Sequence, residues 1–392
     1  MEPVEPSFPA KEKVRVLRII SRLNVGGPAH HVLLLTRALN PERYDSRLVA
    51  GQEPTGELRA QSWIQASGVK VEYIPALQRE PSLWKDLQAL WWLWRYMRRW
   101  KPHIVHTHTA KAGALGRVAA WLSGVPVRIH TFHGHSLEGY FSPAVSFIYR
   151  FAERLLARLT HAIIAISESQ KAALVQRFRI APANKVAVIP LGFDLTRLDD
   201  YCDEVVKALR KEWQGGMDWP LIAWIGRMVP IKRVDRLLEA AAAVQRRGKP
   251  FRLVMIGEGP LRSVWERLAE KLGISVMWAG LRWDIANVLR AVDAIVLTSD
   301  NEGTPVTLIE ALACGVPVAA TPVGGIPDVL EGGRWGKLLY EPLAESLYEF
   351  LCELPVAKMQ AQAAMPIIRN RYDQMRLLHD IEQLYASLYA PD

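Results

Sequence analysis

The sequence predicts an α/β protein built from two successive parallel-sheet domains, and three observations support this. Short apolar or β-branched runs alternate with stretches of helical pattern along the chain. The series restarts after about residue 218, beyond a more polar segment at 194–218. The 392 residues, half of them apolar, are enough for two or three domains. Because such alternation predicts sheets covered by helices on both faces, we expect two Rossmann-like, doubly wound domains.

The predicted strands follow in order along each half. The first half has "VRVLRII" (14–20), "HIVHTH" (103–108), "VRIHTF" (127–132), "HAIIAI" (161–166) and "KVAVIP" (185–190). The second half has "LIAWIG", "RLVMIG", "SVMWAG", "DAIVLT" and "VPVAAT", each before a turn or a helix. The start of the chain is rich in proline and charge, which is typical of a disordered tail. We therefore expect a tail over 1–13, a first domain over 14–200, a second over 201–372, and a C-terminal helix over 373–392 that returns to the first domain.

The composition argues against several classes of protein. Three widely spaced cysteines, Cys202, Cys314 and Cys352, fit neither a disulfide scaffold nor a structural zinc site. No apolar run approaches the ~20 residues of a membrane span, and the start has no signal-peptide core, so we expect a cytoplasmic protein. Residues 1–200 carry 27 Lys and Arg against 16 Asp and Glu. This excess could face a membrane surface, a nucleic acid or an anionic substrate, or serve solubility alone.

Cations and glycines follow the predicted strands, at the end where open parallel sheets bind ligands. Arg227 comes directly after a strand and Lys232 lies near the next helix start, which suits an anion. Taken alone, these two cations could equally be surface charges. The loop "GEGP", with Gly257 and Gly259, is a weak phosphate signal because it lacks the third glycine of the dinucleotide pattern.

The segment "EGTPVTLIE" (302–310) places carboxylates at both ends of a predicted helix start. Gly303 and Pro305 suit a tight turn into that helix, whose first N–H groups can bind an anion. Glu302 precedes the turn, and Glu310 lies roughly 8 Å along the axis from position 305 at ~1.5 Å rise per residue. The two carboxylates could accept hydrogen bonds from sugar hydroxyls on either side of a phosphate. The plainer alternative is a helix cap at Glu302 and a surface charge at Glu310.

These motifs together resemble family 4 of the retaining GT-B glycosyltransferases. The resemblance covers nearly the whole chain and rests on "RLNVGGPAHH", "PHIVHTHTAKAG", "HTFHGH", "IPLGFD", "GRMVPIKRVDRLLEA", "VMIGEGP" and the segment from Glu302 to "ACGVPVAATPVGG". It implies the GT-B fold, with two Rossmann-like domains facing across a cleft. It also implies transfer of a hexose-type sugar from a nucleotide diphosphate sugar, by preference a UDP-sugar, without a metal or other cofactor. The acceptor would be a glycan, a lipid-linked molecule or a small molecule.

The resemblance further implies roles for single residues. Arg227 and Lys232 would neutralise the donor diphosphate. Glu302 would hold hydroxyls of the donor sugar, Glu310 those of the ribose, and His133 would face the donor sugar. The other expected donor-binding residues are Gly26, Gly27, Gly257, Gly259, Leu281, Arg282, Gly303, Thr304, Pro305 and Val306. Two departures stand out: Leu191, where family members often have asparagine, and Asp328, where glutamate is common.

Two clusters outside these motifs have alternative interpretations. Six histidines fall in two short segments: His103, His106, His108, His130, His133 and His135. They are either a metal site or, for all except His133, strand-end and core histidines, which we favour because acidic ligands nearby are sparse.

The stretch "SLWKDLQALWWLWRYMRRW" is unusually rich in tryptophan and arginine. Its spacing predicts a helix whose buried face is Leu83, Leu87, Leu90, Trp91 and Trp94. Off this stripe, Trp84, Trp92 and Tyr96 lie beside Arg95, Arg98 and Arg99, a composition that suits an anionic membrane interface.

Four rival functions remain open at this level. A dinucleotide-dependent oxidoreductase would need a full G-x-G-x-x-G pattern, which "NVGGPAHH" does not supply. A phosphorylase would need a pocket for a pyridoxal-binding lysine. A nucleotide-sugar epimerase on the same fold and a catalytically silent binding protein are the closer alternatives. We expect a nucleotide-sugar and an unknown acceptor as partners, and no nucleic acid.

Overall fold

All paired strands of the structure lie in two parallel sheets, which confirms the predicted fold class. The computed structural model describes residues 12–23, 27–52, 64–65, 67–78, 82–134 and 143–389. The chain divides into a first unit, Met1–Phe193 with Gln374–Asp392, and a second unit, Asp194–Asp373. The predicted tail, except residues 12 and 13, lies outside the described residues, as do Gly26 and His135.

The strands include the ten that the sequence predicts. The first sheet holds β1 (Val14–Ile20), β2 (Tyr44–Gly51), β3 (Val71–Ile74), β4 (Ile104–His108), β5 (Val127–Phe132), β6 (Ala162–Ala165) and β7 (Val186–Val188). The second sheet holds β8 (Leu221–Ile225), β9 (Arg252–Ile256), β10 (Val276–Gly280), β11 (Ala294–Leu297), β12 (Val318–Ala320) and β13 (Lys337–Leu338). Sequence reasoning missed β2, β3 and β13.

Helices connect the strands on both faces of each sheet. They are α1 (Gly27–Ala38), α2 (Leu83–Trp100), α3 (Ala110–Leu122), α4 (Pro143–Arg158), α5 (Glu168–Ala172), α6 (Asp203–Gln214), α7 (Val234–Arg246), α8 (Arg262–Leu272), α9 (Ile285–Ala291), α10 (Val306–Ala313), α11 (Ile326–Val329), α12 (Leu343–Cys352), α13 (Leu354–Arg371) and α14 (Gln374–Leu388). A π-helical segment, Ala173–Arg177, follows α5, and short 3₁₀ turns include Thr196–Asp199 and Pro230–Lys232. Among the described residues, none of the helices is both long and apolar enough to cross a membrane.

Strand order determines which helices share a face of the first sheet. The order is β3-β2-β1-β4-β5-β6-β7, so the chain reverses direction between β1 and β4. Right-handed crossovers then place α1 on one face and α2, α3 and α4 on the other. The core agrees: Val16 packs with residues of α1 and α14, whereas its neighbour Leu17 packs with α2 and α3.

The second sheet reverses in the same way, with the order β10-β9-β8-β11-β12-β13. The reversal falls between β8 and β11. Ligands of open α/β sheets bind at such a reversal, beyond the carboxyl ends of the strands. The loops that follow β8 and β11 are therefore the place to look for a site in this unit.

The buried face predicted for α2 is wrong. Ala89, Leu93 and Met97 are the fully buried residues of this helix. Of the predicted stripe, Leu90 is half-buried, whereas Leu83, Leu87, Trp91 and Trp94 are exposed. Among the aromatic residues expected off the stripe, Trp92 and Tyr96 pack against the core, and Trp84 is exposed. The helix is thus rotated from the predicted orientation, and it presents leucine and tryptophan to solvent.

Candidate functional site

In the second unit, the loops after β8 and β11 are tied together. The Thr298 hydroxyl donates to the Arg233 carbonyl at 3.0 Å, and the Asp300 amide donates to the Ile231 carbonyl at 2.9 Å. This brings Lys232 beside Glu302, and the lysine Nζ donates to Glu302 Oε1 at 2.5 Å. The predicted diphosphate cation and the predicted sugar-binding carboxylate therefore form one ion pair.

Two glycines after β12 hold the backbone of the Glu302 loop. A Cβ on Gly324 would lie 1.7 Å from the Glu302 carbonyl oxygen, and one on Gly325 would lie 2.1 Å from that of Gly303. The Gly325 amide also donates to the Glu302 carbonyl at 3.0 Å. Only glycine allows so close an approach. Sequence reasoning gave these residues no role, although a Gly-Gly pair in the loop after a strand was a usable signal.

The glycines of "GEGP" support the loop that carries Arg227. A Cβ on Gly257 would lie 1.9 Å from the Gly226 carbonyl oxygen, and one on Gly259 would lie 2.4 Å from that of Met228. These two glycines therefore act through backbone packing in this structure. Arg227 is exposed, and its guanidinium has no hydrogen bond or ion pair within the described part of the chain.

The start of α10 contradicts the helix-cap alternative for Glu302. Pro305 occupies the N-cap position, and no side chain caps the helix. Gly303 is exposed, Thr304 is half-buried, and Val306 is the first helical residue. Glu302 instead accepts from Lys232 and from the Ser299 hydroxyl, the latter at 2.6 Å.

The surface-charge alternative for Glu310 is also wrong. Glu310 lies in α10 and is buried, with 8% of its surface exposed. Its carboxylate pairs with Arg197, from the 3₁₀ turn at Thr196–Asp199. Burial raises the pKa of Glu310, and the charge of Arg197 opposes that rise. Sequence reasoning missed Arg197, which lies far away in the chain, in the polar segment treated as a domain boundary.

The loop after β10, which we expect to approach the nucleotide base, contains an ion pair between Arg282 and Asp284. Arg282 donates to both carboxylate oxygens of Asp284, from Nε at 2.9 Å and from Nη2 at 2.5 Å. Leu281 is exposed, and Trp283 between the paired residues has 75% of its surface exposed. An aromatic ring held in this way can stack on a planar ligand.

In the first unit, the described part of the expected site lies at the carboxyl edge of the sheet. Gly27 begins α1, and a Cβ there would lie 3.8 Å from Leu191 Cδ1. Leu191, the departure from the family pattern, is buried. His133 follows β5, and its Nε2 lies 2.9 Å from His108 Nδ1.

Buried histidines surround His133. His106, His108 and His130 are at most 1% exposed, which confirms their interpretation as core histidines. His31, which sequence reasoning did not single out, packs edge-on against His133 with ring centroids 5.0 Å apart. Burial lowers the pKa of His133 to about 3, so this imidazole is neutral near pH 7 and can donate and accept hydrogen bonds.

One nitrogen from each of His31, His108 and His133 lies within 4.8 Å of the others. Three imidazoles at this separation could approach a metal ion. The hydrogen bond between His108 and His133 provides a second explanation, because two neutral imidazoles satisfy each other there. The expectation of a metal-free site therefore stays a prediction.

Comparisons with known proteins agree with this architecture. Residues 26–192 match the family described as "Glycosyl transferase 4-like domain", and residues 219–354 match "Glycosyl transferases group 1". A UDP-Gal:alpha-D-GlcNAc-diphosphoundecaprenol alpha-1,3-galactosyltransferase of Escherichia coli is 31% identical over 66% of this chain and 67% of its own length. The capsular polysaccharide biosynthesis glycosyltransferase CapM of Staphylococcus aureus is 24% identical over 81% and 85%.

A solved structure extends the likeness to the fold. HepE of Anabaena, in complex with UDP, has a TM-score of 0.77 over 96% of this chain and all of its own, at 20% identity. The two family matches follow each other over most of the sequence, and the relatives named here are transferases rather than epimerases. The chain therefore belongs to family 4 of the GT-B glycosyltransferases, and it is a glycosyltransferase.

Proposed function

We propose that this glycosyltransferase moves a hexose from a UDP-sugar to a lipid-linked or glycan acceptor, with retention at the anomeric carbon and without a metal ion. The observation that carries the proposal is that the Lys232–Glu302 ion pair lies just before α10, while the buried carboxylate of Glu310 lies one turn into the same helix. The first-turn N–H groups of a helix and a nearby lysine attract a diphosphate. The two carboxylates accept hydrogen bonds from hydroxyls at either end of it.

The choice of donor and acceptor class is supported by relatives. The Escherichia coli relative is named for a UDP-Gal donor and a diphosphoundecaprenol-linked acceptor. HepE has been solved with UDP and with UDP-glucose. Uracil is therefore our proposed base, with Trp283 beside it as a stacking partner. A lipid-linked acceptor also favours a cytoplasmic enzyme that works at the inner face of a membrane.

The chemistry follows from the charge that develops during transfer. The bond between the anomeric carbon and the β-phosphate oxygen breaks, and its electron pair leaves with the diphosphate. Arg227, Lys232 and the helix N–H groups stabilise that negative charge. The acceptor oxygen forms the new bond on the face that the diphosphate leaves, and the acceptor proton passes to the departing diphosphate. Neutral His133 holds a donor-sugar hydroxyl and carries no charge in this step.

The proposal is tested by titrating UDP, GDP and ADP, with and without attached hexoses, into the full chain by calorimetry. We expect UDP and one UDP-hexose to bind, and the double variant Arg227→Ala/Lys232→Ala to lose most of that affinity. A matched control is Lys207→Ala/Lys211→Ala, which removes two cations from another concavity of the same unit. Equal UDP affinity in all three proteins would remove the diphosphate assignment.

Retention and metal independence need separate measurements. Proton NMR of the product from an α-linked donor should give an α-glycoside. Activity should survive treatment with EDTA. Loss of activity with EDTA, restored by zinc, would instead support a metal bound at His31, His108 and His133.

A further inference from the structure

Helix α4 buries two polar side chains together with Ala157 and leaves most of its large apolar side chains exposed. Ser146 and Glu153 are buried, whereas Phe147, Ile148 and Phe151 have 60%, 65% and 54% of their surface exposed. Val145 and Leu155 extend the same exposed side. A helix on a sheet normally buries its apolar side. In α4 that side is left without a partner in the described structure.

A buried ion pair fixes this unusual orientation. Glu153 accepts two hydrogen bonds from Arg117 Nη2 of α3, at 3.0 and 2.8 Å. Arg117 also donates from Nε to the Gly113 carbonyl at 2.7 Å, and its side chain is fully buried. Separating such a pair would leave an uncompensated buried charge. Rotation of α4 to bury its phenylalanines is therefore opposed by a specific contact.

The neighbouring helices continue the apolar surface. Helix α3 packs against both α2 and α4. The Ser123 hydroxyl at the end of α3 donates to the Trp94 carbonyl of α2 at 3.4 Å. We call the exposed apolar residues of this helical layer the outer apolar face: Leu83, Trp84, Leu87, Trp91 and Trp94 of α2, Trp121 and Leu122 of α3, and Val145, Phe147, Ile148, Phe151 and Leu155 of α4. Apolar groups gathered on one face mark an interaction surface.

A cationic pocket lies at the C-terminal end of α4. This concavity of about 490 Å³ has four basic residues in its lining, Arg154, Arg158, Arg179 and Lys185, and no carboxylate. Arg154 donates to the Phe178 carbonyl at 2.8 Å, and Lys185 donates to the Ala157 carbonyl at 2.7 Å. Burial, and to a smaller extent the charge of Arg128, lower the pKa of Lys185.

The cationic pocket is separate from the candidate catalytic residues of this unit. It lies where α4 leads into β6 and where Lys185 precedes β7, at the amino edge of the sheet. His133 follows β5, at the carboxyl edge. Helix α4, at 1.5 Å per residue, extends over roughly 24 Å between the two edges. The donor phosphate is therefore not the anion that the cationic pocket would take.

We propose that the outer apolar face and the cationic pocket together dock this enzyme on an anionic lipid bilayer, with a lipid phosphate in the pocket. Arginine and lysine bind phosphate through charge-assisted hydrogen bonds. An apolar helix face with basic residues beside it lies in the boundary between headgroups and acyl chains. Exposed Arg95, Arg98 and Arg99 on α2 add attraction to an anionic surface. A second copy of this chain fits less well, because a two-fold contact would bring the same cations together.

The test is sedimentation of the full chain with lipid vesicles. Vesicles that contain phosphatidylglycerol should bind the protein, and pure phosphatidylcholine should bind it much more weakly. Arg158→Ala/Arg179→Ala should weaken binding about thirtyfold, the loss expected for two surface cations at about 1 kcal/mol each. Phe147→Ala/Phe151→Ala should remove the part of binding that persists at high salt. Circular dichroism checks that each variant is folded.

Matched controls lie in the second unit. Lys207→Ala/Lys211→Ala removes equal charge, and Val356→Ala/Met359→Ala removes exposed apolar side chains from α13. Neither control should change vesicle binding, and equal losses in controls and test variants would overturn the proposal. It would also be overturned by a stable dimer that ignores vesicles and dissociates in Phe147→Ala/Phe151→Ala. Protection by free inorganic phosphate in thermal melts, without sedimentation on vesicles, would replace the bilayer with a soluble anion.

Discussion

Lys232 and Glu302, which are 70 positions apart, form a hydrogen-bonded ion pair of 2.5 Å at the start of α10. Their side chains are only 22% and 10% exposed. Each residue of the pair neutralises the charge of the other. A bound donor would offer a phosphate to the lysine and a sugar hydroxyl to the glutamate, so that two contacts replace one. Substitution of the lysine should therefore weaken nucleotide binding, whereas substitution of the glutamate should mainly slow transfer of the sugar.

Glu302→Gln should separate sugar recognition from nucleotide binding. The amide keeps the shape but loses the charge that receives sugar hydroxyls. UDP affinity should change less than threefold, whereas hexose transfer should fall roughly a hundredfold, the order seen for loss of one charged transition-state contact. Calorimetry and turnover measure the two effects. The control is Glu345→Gln, an exposed position on α12 that should leave both unchanged.

Glu310→Gln should weaken UDP binding and raise the melting temperature of the protein at pH 8. Burial raises the pKa of the Glu310 carboxyl above its value in the unfolded chain. The contribution of this carboxyl to stability is therefore complete below the unfolded pKa and is lost as the pH rises through the folded pKa. The neutral variant should therefore melt a few degrees higher than the parent at pH 8 and nearly equally at pH 4, with weaker UDP binding at pH 8. Calorimetric melts at the two pH values measure this. A variant that melts lower at pH 8 would mean that the Arg197 pair outweighs the burial cost.

The first unit should lose stability in mild acid before the second. Burial lowers the pKa of all five histidines of the inner cluster, His31, His106, His108, His130 and His133. Their unfolded pKa is about 6.5, so their contribution is complete above that pH and falls below it by about 1.4 kcal/mol per pH unit for each. Residues 194–373 contain no histidine.

Calorimetry between pH 7 and pH 4.5 should therefore resolve an early transition from the first unit. His130→Gln should make that transition less sensitive to pH, whereas His379→Gln, outside the cluster, should not. A single transition with the same pH dependence in all three proteins would contradict the prediction.

Gly324→Ala should displace the backbone of the loop that carries Glu302. Its φ of +56° disfavours alanine, and the added Cβ would collide with the Glu302 carbonyl. Gly273→Ala is a matched control, because its φ of +70° is similar but nothing lies within 4 Å of the added atom. The control should cost about 1 kcal/mol of unfolding free energy. Gly324→Ala should cost more than about 3 kcal/mol and weaken donor binding as well, measured by denaturant unfolding and calorimetry.

The fold class was predictable because strands buried on both faces read as apolar runs, whereas the missed strands lack that pattern. β2, "YDSRLVAG", is polar over half its length, and β13 has two residues. The orientation of α2 could not be read from periodicity, because leucine and tryptophan occupy two overlapping arcs of the helix. The small residue Ala89, with Leu93 and Met97, determines which arc fits against α3 and the sheet.

Some residues of the candidate site could be found from their place after a strand, and others could not because their partners are distant in the sequence. Lys232 and Glu302 lie in the loops that follow β8 and β11, so the rule for carboxyl edges predicts that they are close. Arg197 and His31 reach their partners by tertiary contact alone. The orientation of α4 likewise depends on one ion pair, Arg117 with Glu153, which no periodicity reports.

Helix α14 contributes Tyr385 to the interior of the first unit, where its hydroxyl lies 2.7 Å from His106 Nδ1 and accepts from Arg18 at 3.3 Å. The residues between these partners include the whole second unit. During synthesis, the ribosome therefore completes the second unit before it supplies the residue that satisfies His106 and Arg18. Until α14 emerges, the newly made first unit has a polar gap beside β1 and β4, which makes it a candidate client for chaperones.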